Sequence, residues 1–308
     1  MPPTLKLNQK KVLLVLVSAL LFISTTLYVV ADDINNQVAV GNATPSVSSV
    51  VINSSTAIDL TENTTTLATT TATISDANGC NTINSVIMDM YRTGIGAASC
   101  DTTDESDAND CYANIVCTEV TSGNTCTGGA DTSADYNCVV SLEYYADATG
   151  AGGGYSADTW TALVSAGDTT ATGTASDTEE INALTALDVS PATLDYGAVP
   201  AGSDTGNTNS TTTVTNTGNV DMDPQLSGLQ LEDGGNNIPV GSQEYSATPF
   251  THGGGTALTG TPATLNITLP QRTTTVITDT VSWGIAVPGG TPNGTYTGTS
   301  TFTATAGI

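Results

Sequence analysis

The run CDTTDESDANDCYANIVC, residues 100–117, places Asp101, Asp104, Glu105, Asp107 and Asp110 among three cysteines, Cys100, Cys111 and Cys117. Carboxylate oxygens on irregular backbone suit a hard cation, calcium above all. Asp101, Asp104, Asp107 and Asp110 are the candidate calcium ligands, and Asp76 with Asn78 in SDANG is a smaller second set. Neither follows the EF-hand template. Counted from Asp107, the third ligand position falls on Cys111, and no glycine or terminal glutamate follows at the required offset. The favoured reading is a solvated acidic loop with calcium as the alternative, and no other cofactor is called for.

Groups that could drive covalent chemistry are sparse. His252, in THGGG, is the only histidine, and no nucleophile elbow accompanies it. The glycine run GAGGGY at 150–155 lacks the lysine and helix start of a phosphate cradle. Trp160 and Trp283, with Tyr144, Tyr145 and Tyr155 behind them, could stack on sugars if exposed. Both tryptophans lie in alternating runs, which favours core packing. The expectation is a non-enzymatic protein, with an extracellular hydrolase the least favoured alternative.

Compartment decides what the cysteines do. Lys6, Lys10 and Lys11 precede the apolar run VLLVLVSALLFI, and Val29 and Ala31 suit a cleavage site. Residues 1–31 therefore read as a signal peptide, the competing reading being an uncleaved anchor over 12–31. After cleavage Arg92 and Arg272 are the only strong cations against 30 Asp and Glu, a charge near −28 (2 minus 30). Such a chain repels nucleic acid and anionic lipid, so membrane contact is confined to the signal or anchor. It suits divalent cations or partners with basic patches. In an exported chain Cys80, Cys100, Cys111, Cys117, Cys126 and Cys138 read as a disulfide framework. Sequons at Asn42, Asn53, Asn63, Asn209, Asn266 and Asn293 fit the same compartment.

The elements that must position these residues are short strands. Thr, Val, Ile and Tyr alternate with small polar residues between Gly, Asn, Asp and Pro, the pattern of an all-β sandwich. Strand candidates in the first half are SSVVIN, TTTLATTTATIS, INSVIMDMYRT, YNCVVSLEYYAD and DTWTALVSAGD. Their alternation predicts three core rows: Val86, Met88 and Met90; Tyr136, Cys138, Val140, Leu142 and Tyr144; and Trp160, Ala162 and Val164. The one helical turn expected is in SDTEEINALTALDV, residues 176–189. The expected domains are a linker or edge strand at 32–45, a sandwich at 46–183 carrying a cysteine-rich insertion at about 93–135, and a second sandwich at 184–308. If the strand ending near Arg92 runs antiparallel to the one starting near Tyr136, Cys100 and Cys138 leave the same sheet end and pair. The chain closes on TSTFTATAGI, a terminal strand suited to self-assembly by edge pairing.

The runs QVAVGNATPSV, SDANGC, MDMYRTG, CY, YNC and YYAD resemble Ig-like modules with a cysteine-rich insertion in uncharacterised prokaryotic surface proteins. LDVSPATLDYGAVPAGS, TVTNTGN and VSWGIAVPGGTPNGTYTGTSTFTA are similar to the Ig-like repeats of exported bacterial and archaeal proteins. The resemblance implies two tandem Ig-like β-sandwich domains, secreted or held at the cell surface. It implies adhesion or a surface-layer role, with other surface proteins or cell-surface glycans as partners. A carbohydrate- or ligand-binding module is the alternative.

Overall fold

β-Branched residues alternating with small polar ones give each run one apolar side, and the chain uses these runs as strands. The computed structural model describes residues 35–101 and 107–307; the proposed signal segment, Asp104 and Glu105 lie outside them. The first half holds β1 (Ser46–Ile52), β2 (Thr66–Ser75), β3 (Ser85–Arg92), β4 (Cys111–Val116), β5 (Thr118–Glu119), β6 (Ser133–Leu142), β7 (Trp160–Gly167) and β8 (Thr172–Glu179). They form two antiparallel sheets, β1-β2-β6-β5 and β4-β3-β7-β8. Between the sheets lies one core, with Ile52, Ala72, Val86, Met88, Met90, Val140, Leu142, Trp160 and Val164 all buried. The three alternating rows face inward as expected, with Tyr136 half-buried at the margin. β1 packs across β8 so closely that a Cβ on Gly173 would stand 1.9 Å from the Pro45 carbonyl oxygen.

The second half continues with β9 (Leu187–Ser190), β10 (Ser210–Asn216), β11 (Met222–Gly228), β12 (Leu231–Asp233), β13 (Asn236–Ile238), β14 (Gln243–Ser246), β15 (Thr256–Ala257), β16 (Ala263–Thr264), β17 (Thr278–Ile285) and β18 (Ser300–Ala306). Its sheets run β15-β14-β17-β10-β9 and β16-β11-β18, with β12 and β13 as a separate hairpin. A second core gathers Val214, Met222, Leu226, Tyr245, Leu258, Leu269, Val281 and Trp283. Each core is built around one tryptophan against one tyrosine, Tyr112–Trp160 at 6.0 Å and Tyr245–Trp283 at 5.8 Å between ring centroids. From Asn42 onward the chain forms one compact unit, while residues 35–41 belong to another and carry no strand. Among the described residues no helix is long and apolar enough to cross a membrane.

Two expectations are corrected. The stretch 176–189 contains no helical turn: Ser176–Glu179 completes β8 and Leu187–Ser190 is β9. Its first residues continue the T-x-T-x-S-x-T alternation that pairs along β7, and that pairing outweighs the helix-forming Glu and Ala residues. The segment 32–45, read as a linker or an edge strand, carries no strand over its described part, and β1 begins at Ser46. Cys100 pairs with Cys111, not Cys138; the others are Cys80–Cys126 and Cys117–Cys138. The inference failed because β3 and β6 lie in different sheets. The neighbours of β3 are β7 and β4, and β4 arises inside the cysteine-rich segment.

Candidate functional site

That segment is built into both sheets. After Cys100–Cys111 closes a loop of sequence separation 11, β4 pairs with β3, Cys117 follows, and β5 pairs with β6 in the opposite sheet. Cys117–Cys138 ties this crossing to β6, and Cys80–Cys126 holds the return segment. The two ends of the acidic loop thus form a neck fixed by a covalent bridge at Cys100 and Cys111 and by the β3–β4 ladder.

Beneath the neck lies a charged cluster centred on Asp147, whose side chain is fully buried. The Arg92 Nε donates to Asp147 Oδ2 at 2.7 Å, Arg92 Nη1 donates to Asp158, and Asp110 lies 3.8 Å from Nη2. The guanidinium stacks 3.9 Å from the centre of the Tyr155 ring. Asp147 Oδ1 accepts from Asn109 Nδ2 at 3.2 Å and from Gln271 Nε2 at 2.7 Å. Trp160 Nε1 donates to the Asp147 carbonyl at 2.8 Å. The Asp147 carboxylate therefore joins the acidic loop, β3 and the second half of the chain, and its backbone carbonyl adds β7.

Three carboxylates share one guanidinium, and the titration directions follow. Burial raises the Asp147 pKa above its usual value, outweighing Asn109, Arg92 and Gln271. Burial also raises Asp110, reinforced by the Asp147 charge and opposed by Arg92. For Arg92, burial alone would lower the value, but Asp158 and Asp147 carry it above the ordinary one.

The second half grips this cluster through a feature that sequence reading took only as a similarity motif. In NTGN, residues 216–219, the buried Asn216 Nδ2 donates to the carbonyls of Val220, Leu269 and Pro270. This holds the turn before Gln271 and Arg272. A Cβ on Gly218 would stand 2.1 Å from the Leu184 carbonyl oxygen, so glycine is required there. Asn219 Nδ2 donates to the Ala146 and Asn182 carbonyls, and its Oδ1 accepts from the Leu184 N–H. Arg272 Nη1 donates to Tyr144 Oη at 3.1 Å and the guanidinium lies 4.1 Å from the Tyr145 ring centre. Arg272 thus crosses between the halves directly, and Arg92 is linked to the second half through Asp147 and Gln271. Their isolation among 30 acids was the one available signal.

The remaining candidates fall out as follows. Among the described residues no three His, Cys, Asp or Glu side chains stand close enough to hold a metal ion. Asp110 turns to Arg92, Asp101 is exposed, Asp107 is half-buried, and Asp104 lies outside the described residues. Asp76 is buried; its Oδ1 accepts from Asn78 N–H at 2.7 Å and its Oδ2 meets no hydrogen-bond donor. His252 Nε2 faces the Ser242 carbonyl at 3.3 Å and Glu244 at 4.0 Å. Trp160 and Trp283 are fully buried, and Tyr144 and Tyr145 nearly so, while Tyr155 is half-buried against Arg92. Asn42, Asn63, Asn266 and Asn293 are exposed. Asn53 donates to the Thr56 carbonyl, and Asn209 is held at both ends of its amide by Trp283 and Phe250 backbone. An open groove of about 470 Å³ runs beside Gly228–Gln230 and Thr297–Thr299, with no aromatic ring in its lining.

No family model and no curated protein matches this chain. Among solved structures it is similar to the secreted serine protease VesC from Vibrio cholerae, at 12% identity and a TM-score of 0.19, covering 81% of this chain and 49% of the protease. This chain therefore spans about half of that protein's length. It is also similar to a chain of a chaperone–tip adhesin complex of CFA/I fimbriae biogenesis, at 10% identity and a TM-score of 0.26, covering 85% and 84%. Likenesses at these scores carry no argument about function.

Proposed function

We propose that this chain is an exported, non-enzymatic surface protein of two Ig-like sandwich domains that presents the acidic loop between Cys100 and Cys111 to a basic partner. The observation that carries the reading is the neck of that loop, closed by a disulfide and seated on the buried Arg92–Asp147 pair. Three disulfides need an oxidising compartment to form. A disulfide at the base of a loop lowers the conformational freedom that its ends lose on binding, which favours recognition over scaffold packing. The role is adhesion to other surface proteins or glycans, or a place in a surface layer. The partner carries a basic patch complementary to the loop. Calcium is not needed for the contact.

The sugar-stacking alternative is weakened because its tryptophans are core residues. The hydrolase alternative is weakened because, among the described residues, His252 Nε2 meets the Ser242 carbonyl and the Glu244 carboxylate rather than a hydroxyl. The test is binding of the exported chain to arrayed glycans and cell surfaces, with and without calcium. A variant carrying Asp101→Asn, Asp104→Asn and Asp107→Asn is run beside it. Binding should fall at least about tenfold in the variant at unchanged thermal stability, and with equal strength in calcium and in chelator. Undiminished binding by the variant defeats the reading.

A further inference from the structure

Sheet edges invite pairing with other chains, and proteins blunt them with short strands, bulges, charges or covering elements. In this molecule nearly every edge is blunted. β5, β15 and β16 are two residues long, and β9 has four, carries Asp188 and stops at Pro191. β1 and β4 are bulged, and β8 carries Asp177 and Glu179 and lies under β1.

Among the described strands β18 is the exception. It runs seven residues, STFTATA, without charge, proline or bulge, paired to β11 in unbroken register on one side only. Register decides which groups face outward. Met222, Pro224 and Gly228 turn their backbone groups toward the segment 259–269, through bonds with Leu269, Leu265 and Thr259. The odd residues of β11 therefore bond to β18, as Leu229 N–H does to the Thr299 carbonyl just beyond it. Hence Ser300, Phe302, Ala304 and Ala306 direct their N–H and C=O groups to the open edge. No described residue bonds to them there.

We propose that this edge pairs with β18 of a second copy of the chain, antiparallel across a two-fold axis at Thr303. That register matches Phe302 with the partner's Ala304 and Ser300 with the partner's Ala306. It satisfies all four outward residues on each side with about eight backbone hydrogen bonds. It joins two three-stranded sheets into one. The partner is a copy of this chain because the register is self-complementary and the strip is uncharged in a molecule of formal charge −25. Elsewhere two copies repel. The proposal is independent of what the acidic loop binds.

Deleting the strand is no test, because Phe302 packs on Trp283 at 5.9 Å and truncation would open the core. Point variants are used on the chain purified after export, by sedimentation and by non-reducing electrophoresis. The wild type should dimerise, more tightly as salt rises, because screening removes the repulsion between acidic copies. Thr303→Cys should form a covalent dimer, since residues facing each other at the axis stand about 4.5 Å apart at Cα, within disulfide reach. Thr301→Cys, which faces the partner's Thr305, should not. Ala304→Pro removes an outward N–H from each copy and should weaken the dimer at least about tenfold. Thr303→Lys, which sets like charges together at the axis, serves if the proline variant fails to fold. A wild type that stays monomeric at about millimolar concentration overturns the proposal. So does equal cross-linking through residues 301 and 303, or a folded variant that dimerises as wild type.

Discussion

Asp147 carries no exposed side-chain surface, yet its carboxyl group meets three polar side chains, Arg92, Asn109 and Gln271. Its neutral form is favoured in the folded chain by burial, as is that of Asp110. A carboxyl whose folded pKa lies above its unfolded one binds its proton more tightly in the folded state, so stability falls as pH rises between the two values. Asp168 works in the opposite sense. Backbone N–H groups of Thr170 and Ala171 and the Asn42 amide hold it down at about 2, so its contribution is present above the ordinary 3.8 and lost below. The thermal midpoint should therefore rise as pH falls toward the ordinary carboxylate value of 3.8, and fall again below it as Asp168 takes up its proton. Asp110→Asn should flatten the rise, as scanning calorimetry across the range would show. A midpoint that falls steadily from neutral pH down to that value would contradict the assignment.

Among the elements, β4 and β5 carry the weight of the cysteine-rich segment. They add one strand to each sheet of the first half, and Cys117 sits between them where the chain crosses over. Cys117–Cys138 closes a loop of sequence separation 21 and ties that crossing to the central strand β6. Replacing both cysteines by alanine should cost about 3 kcal/mol, chiefly by freeing the unfolded chain. Chemical denaturation of the oxidised double variant measures this. Cys100–Cys111 spans a separation of only 11 at the base of the loop, so its removal should cost less.

For the whole molecule the question is whether the halves unfold together. Each has its own core, and the polar joint between them runs through Asn219, Gln271 and Arg272 on one side and Tyr144–Asp147 on the other. Such a joint couples the halves only while its buried groups stay paired. Asn219→Ala leaves the Ala146 and Asn182 carbonyls and the Leu184 N–H without their partner. Calorimetry should show the single transition of the wild type splitting into two, with calorimetric enthalpy exceeding the van't Hoff value. A variant that keeps one transition at an unchanged midpoint would show that the joint is dispensable.

Alternation along β3, β6 and β7 was readable residue by residue, because inward and outward positions differ by one step of chain. The all-β class, the buried tryptophans and the bridging role of the cysteines were legible for the same local reasons. Cysteine pairing was not, because it depends on which sheet each strand joins. That choice depends on contacts between segments far apart in sequence, such as β3 with β7 and β2 with β6. The site beneath the acidic loop was equally hidden. Arg92, Asn109, Asp147 and Gln271 carry no shared motif, and their meeting depends on NTGN setting the turn before Gln271. Local propensity made the strands, whereas long-range packing chose their neighbours, and with them the bridges, the charged joint and the open edge of β18.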